Sequence, residues 1–192
     1  MNSLPYIVED VFKNVKKYAS KDISKTGFEQ IFNLFNSRIS EISSLHKPEL
    51  FFVADLQNNG ETVFMRNVSF DIGTDIHSVI DIMKAIVPPF LEYHAIIDKV
   101  LIDFWIEHKL QPYDMFFKVV FPVNTAFGEK FYSRTLTVIA NDNNNIPHFG
   151  FGFVKEEKPI ENLSPENVDF QFSKEKKHLK NVLSEKLENC FK

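Results

Sequence analysis

Metal, acid–base and nucleophilic chemistry all need side chains that converge, so the ionisable and thiol residues are placed first. The six histidines, His46, His77, His94, His108, His148 and His178, are spread one to an element. None has a His or Cys partner three or four residues on, the spacing that would turn two ligands onto one helix face. The single cysteine, Cys190, rules out a disulfide within the chain and a Cys-based zinc site. Asp98, Asp103 and Glu107 share one predicted helix and Asp81 lies on an earlier one; paired carboxylates can move protons, but on amphipathic helices they read first as solvated faces. Gly60, Gly73 and Gly128 are isolated, and Gly150 and Gly152 belong to a strand, so there is no phosphate-cradling loop. No G-x-S-x-G elbow and no nucleophile beside a base is present. The expectation is a protein without a catalytic or metal site. Trp105 beside Phe104 reads as core, with the lining of an apolar ligand pocket as its functional alternative.

Composition narrows the class further. The 192 residues are enough for one well-buried core, and phenylalanine is over-used at 21 copies against only 6 glycines. The formal charge of −4 gives no support to a chain-wide nucleic-acid surface. No apolar run approaches the length of a membrane span. The stretch from Met1 to Lys17 is broken by Pro5, Glu9, Asp10, Lys13 and Lys16 and has no signal-peptide core. A cytoplasmic protein is expected.

The elements that must position any site begin with two N-terminal helices. Ile7, Val8, Val11, Phe12 and Val15 have helical spacing between Leu4 and Tyr18. Phe28, Ile31, Phe32, Phe35, Ile39 and Ile42 form a stronger stripe from Phe28 to Ser44. That stripe must be buried on the chain's own domain or in a dimer, and Phe28, Ile31, Phe32, Phe35 and Ile39 are the candidate dimer-interface residues. Leu50 to Leu56 and Thr62 to Asn67 read as a hairpin about the turn from Gln57 to Gly60. Ile72, Ile76, Val79, Ile80, Met83 and Ile86 are helical until Pro88-Pro89 stops the run. Phe90 to Glu107 is helical again, with Leu91, Ile97, Val100, Leu101, Phe104 and Trp105 inward.

From Pro112 to Lys155 three β-rich runs are separated by turn chemistry, which makes an antiparallel meander. In its last run Phe149, Phe151 and Phe153 alternate with Gly150 and Gly152. Three rings therefore share one face and the other face is flat, with something expected to lie close against it. The reading puts the rings toward the helices between the hairpin and the meander, and the flat face under the N-terminal stripe. Beyond Lys155 come a polar connection from Ile160 to Asp169 and a basic helix from Ser173 to Leu187.

A hairpin, a cluster of helices and a three-strand meander is the element order of the PAS fold, and the turns add to it. The runs beginning at Leu110, Gly128 and Asp142 are similar to the strand, the "D-G-K-[YF]" turn and the "D-E-D-G" turn of the PAS_3-like sensor domain in Bacteroidetes regulators of the PAS–LuxR type. Ile86-Val-Pro-Pro-Phe-Leu resembles that family's "I-H-P-E-D-L" step, and Asp71-Ile-Gly73 its "I-x-G-Y" step. Departures from the pattern are Thr74 in place of the Tyr, Pro88-Pro89 within the second step, and the close at Phe153-Val154-Lys155. The resemblance spans about Leu50 to Val154.

It implies an α+β chain: a PAS-like five-stranded antiparallel sheet with helices on one face, preceded by N-terminal helices and followed by a C-terminal helix. The expected divisions are an N-terminal helical extension (1–47), the PAS-like domain (48–157), and a linker with a basic helix (158–192). The implied role is a non-catalytic sensory or interaction module in signalling or transcriptional regulation, working through a small apolar ligand or a protein partner. Candidate pocket-lining residues are Phe64, His94, Phe104, Trp105, Phe117 and Phe151. A haem ligand at His94 or His108 is less favoured than a plain helix histidine, and a photoactive flavin would need a cysteine in the helical region, so no cofactor is expected. A homodimer or a signalling partner is expected, with no membrane and no direct DNA contact, because the tail ends before a recognition helix can form. Alternatives are a small NTF2-like cavity enzyme or binding protein, and a truncated LuxR-type regulator acting by dimerisation.

Overall fold

The computed structural model describes residues 47–160 and 168–191. The N-terminal stripe and the dimer-interface candidates Phe28, Ile31, Phe32, Phe35 and Ile39 lie outside them. The chain is α+β. An antiparallel sheet holds β1 (Leu50–Asp55), β2 (Glu61–Asn67), β3 (Met115–Thr125), β4 (Gly128–Asn141), β5 (Pro147–Glu156) and β6 (Val168–Phe172). Helices α1 (Val79–Lys84) and α2 (Pro88–Glu107) sit between β2 and β3, and α3 (Leu179–Cys190) follows β6.

The strand order is β2-β1-β5-β4-β3-β6. β1 thus lies between its hairpin partner and the last strand of the meander. Its residues explain why. Leu50, Phe52 and Ala54 alternate with Phe51 and Val53, and all five are buried. A strand apolar in both registers is one covered on both faces of its sheet, as an interior position favours. Asn59 and Gly60 turn the hairpin in the left-handed region, at φ 56° and 68°.

Local chemistry also sets the helices. Ser78 and Asp81 close a capping box at the start of α1. The run expected to be helical from Ile72 to Ile86 is so only over α1, which ends at Lys84 before Ile86 bridges to Val123, while Pro88 and Pro89 open α2, whose first turn has no use for their missing N–H groups. All three helices contribute to one large core cluster on one face of the sheet, through residues such as Ile82, Leu101, Trp105 and Leu183.

Two expectations are corrected. The sheet has six strands instead of five, because Val168–Phe172, read as part of a connection and tail, pairs antiparallel with β3. Val168, Phe170 and Phe172 alternate with Asp169 and Gln171, a short period-2 signal. Ser173 fixes the end of this strand: its N–H donates to the Asp114 carbonyl at 2.8 Å and its hydroxyl to the Asp114 carboxylate at 2.9 Å.

The second correction concerns the Phe–Gly alternation of β5, which runs opposite to expectation. Phe149, Phe151 and Phe153 turn away from the helices, beside Phe51 and Val53 of β1. Gly150 and Gly152 face the helical core, where β1 supplies the cover. A Cβ on Gly152 would stand 2.3 Å from Cζ of Phe52, and one on Gly150 3.3 Å from the Leu56 methyls. The flat face does have a close neighbour, but it is the ring of the next strand.

Candidate functional site

Sequence parity on β4 decides which side chains enter the helical face. Arg134, Leu136 and Val138 alternate with Ser133, Thr135 and Thr137, and the register sets Arg134 opposite Val119 and Leu136 opposite Phe117. Arg134 therefore points into the core in the company of apolar residues. On α2, His94, Asp98, Leu101 and Trp105 follow one another at steps of four, three and four, a single helix stripe. That stripe faces the sheet, and all four residues are buried.

The two stripes meet in an ion pair. Arg134 Nη2 donates to Asp98 Oδ1, with side-chain exposures of 2% and 8%. His94 Nδ1 stands 3.4 Å from Asp98 Oδ2, an electrostatic contact without a well-formed hydrogen bond. The guanidinium lies 5.8 Å from the ring centre of Phe117, and the His94 ring meets Phe121 edge-on at 5.0 Å. Burial pulls the Asp98 carboxyl upward, but Arg134 and His94 together outweigh it and hold the group at about 2. Burial and then the Arg134 charge push the His94 imidazole below its ordinary value, against the pull of Asp98. At neutral pH the cluster is a carboxylate, a guanidinium and a neutral imidazole.

Beside it lies a cavity of about 40 Å³ between α2 and the sheet. Leu56, Val79, Leu101, Met115, Leu136 and Val138 give it an apolar wall, and Asp98, Trp105 and Arg134 also line it. Two N–H donors on these side chains, Trp105 Nε1 and Arg134 Nε, are buried with no hydrogen-bond partner. Buried polar groups are nearly always paired, so both donors stand out in a core that is otherwise apolar.

Of the sequence-predicted pocket residues, Trp105 and Phe117 line this cavity. His94 and Phe104 are buried on α2 without forming the cavity wall. Phe64 and Phe151 belong to the opposite face of the sheet, packed with Phe51, Val53, Ile139 and Phe149. Their inclusion followed from placing the β5 rings toward the helices. Sequence reasoning missed Asp98 and Arg134. Asp98 was grouped with the solvated carboxylates Asp103 and Glu107, which are exposed on α2. The signal available was its place on the stripe of Leu101 and Trp105.

The opposite face carries a second feature, an open groove of about 450 Å³ over β3, β4, β5 and β6. Phe116, Phe151 and Phe153 line it with Lys118, Thr135 and Gln171. Lys118 and Glu157 pair at 2.6 Å within it. Among the described residues no three His, Cys, Asp or Glu side chains converge as metal ligands would, and no helix is long and apolar enough to cross a membrane. No protein-family model matches the chain, and no curated protein is significantly similar to it.

Proposed function

We propose that the chain is a PAS-like sensory or protein-interaction module, without a catalytic step of its own, that acts in signalling or transcriptional regulation through a small ligand held between α2 and the sheet. The observation that carries this reading is a cavity between α2 and a sheet whose first strand lies between β2 and β5. The resemblance of the turns at Asp71, Gly128 and Asp142 to PAS sensors supports it independently. In such a module ligand occupancy is transmitted by shifting α2 against the sheet, because the cavity wall is shared between them.

The His94–Asp98 contact favours a second reading, an NTF2-like cavity enzyme using a buried acid–base pair. Against it, a carboxyl held at about 2 is a weak base at neutral pH, and His94 does not reach the cavity wall. The sensor reading is the better one.

The test is a screen of small metabolites by ligand-observed NMR against the full chain, followed by analysis of each hit for chemical change. Unaltered ligands that perturb the Trp105 indole support the module. Conversion of a hit to product would overturn the non-catalytic reading. Absence of any hit, together with a monomer that binds no partner, would overturn the sensory one.

A further inference from the structure

We propose that the stripe Phe28, Ile31, Phe32, Phe35, Ile39 and Ile42, which lies outside the described residues, packs within its own chain on the aromatic face of β1, β5 and β4. That face is turned away from the three described helices, and the inference stands apart from the sensor reading, which concerns the other side of the sheet.

Burial along one row of cross-strand partners marks where a second layer rests. Phe64 of β2, Val53 of β1, Phe151 of β5, Thr137 of β4 and Phe116 of β3 stand side by side across the sheet. Val53, Phe151 and Thr137 are buried and Phe64 is half-buried, whereas Phe116 is 39% exposed. Neighbours within a sheet shield a ring at its sides and leave its top open, so an apolar sheet face is buried only by another element laid over it. The clustered residues of this face all belong to strands, and the described helices pack into the core on the opposite face. Among the described residues nothing else covers the rings. Residue type follows the same division: Phe51, Val53, Ile139, Phe149 and Phe151 lie where the face is buried, and Lys118, Asp169 and Gln171 where it is open toward β3 and β6.

Chain length and entry point identify the cover. Residues 1–46 run directly into β1, the strand that carries Phe51 and Val53. A helix from Phe28 to Ile42 would be about 21 Å long, and with its side chains about 10 Å wide. The three strands β1, β5 and β4 span about 10 Å from centre to centre, so one such helix covers them and leaves β3 and β6 open. From Ile42 to Leu50 the chain reaches up to about 26 Å, enough to step down the roughly 10 Å that separates packed layers. The stretch 161–167 has Leu163 as its one large apolar residue and is unsuited to the task. A second copy is not required, because Phe51 is buried within a single chain.

The test uses the full chain and the methyl resonances of Val53 and Ile139 on the aromatic face, with Val119 and Leu183 of the helical core as controls. Phe32→Leu keeps the stripe apolar and removes one ring current. It should move the Val53 or Ile139 signals and leave both controls in place. A second measurement needs no variant: NOEs from the Ile31 or Ile39 methyls to the Phe51 or Phe151 rings are expected in the wild-type chain. They should vanish in a mixture where one copy is protonated only at Ile methyls and the other only at Phe rings.

Absence of these NOEs from the wild-type chain, or shifts confined to Val119 and Leu183, would overturn the proposal. NOEs that survive in the mixture would make the stripe a contact between two copies and overturn packing within one chain. The sensor reading survives each of these results, since its cavity lies across the sheet.

Discussion

The two faces of the central strands are built from neighbouring residues and do different things. On β1 and β5, Leu50, Phe52, Gly150 and Gly152 face the helices, while Phe51, Val53, Phe149 and Phe151 face away. The helical face mixes apolar packing with a buried ion pair and a cavity. The other face is aromatic over β1 and β5 and becomes a groove of mixed aromatic and polar lining toward β3 and β6. Phe51 is 1% exposed although none of the described helices contributes to its cluster. Both faces are therefore core at β1, but among the described residues the buried ion pair lies on the helical one. A buried charge needs a fixed partner on a second element, and α2 supplies it.

The largest expected effect breaks the charged side of this contrast. Asp98→Ala leaves the Arg134 guanidinium buried and unpaired and should cost about 3–5 kcal/mol in urea unfolding, whereas the double change Asp98→Leu with Arg134→Met should stay near the wild-type stability. A single-variant loss below about 1 kcal/mol would mean that water reaches the pair. Phe151→Ala then measures how well the aromatic face is packed. If that face is core, the loss is about 3–5 kcal/mol, and a nearly neutral change would demote it to a surface.

Gly152→Ala should cost about 1–3 kcal/mol by overpacking, since the new methyl meets the Phe52 ring. Adding Phe52→Leu should recover part of it; no recovery would place the strain elsewhere. A smaller effect is titration of His94. Its folded-state pKa lies below the ordinary histidine value of 6.5, so above about pH 6.5 neither folded nor unfolded chain holds the extra proton. As pH falls below that value the unfolded chain binds it first, and stability drops until the folded-state pKa is passed. His94→Phe should therefore flatten the stability profile between about pH 6.5 and 5 relative to wild type, and an unchanged slope would remove His94 from the account. The Asp98 contribution is present above its unfolded value and is lost only as pH falls toward about 2. Smallest is Lys118→Ala in the groove. Its pair with Glu157 has exposures of 38% and 26% and should be worth no more than about 1 kcal/mol.

The hairpin about Asn59-Gly60, the α1 to α2 break at Pro88-Pro89 and the meander were legible because turn preference, helix capping and period-2 alternation act over a few residues. The site was legible only in part. Trp105 and Phe117 could be proposed from bulk and placement, but Asp98 and Arg134 lie 36 positions apart. Neither reports its partner, and a lone carboxylate on a helix is ordinarily solvated.

Alternation along β5 determined that its three rings share one face and its two glycines the other, because successive side chains on a strand must point to opposite sides. Which side receives the helices is not a local property. It was decided by the pairing of β5 with β1, where the Phe52 ring fills the space over Gly152, and by the α2 stripe that brings Asp98 to Arg134. The tertiary structure alone made those choices, because they depend on contacts between residues that no turn or period connects.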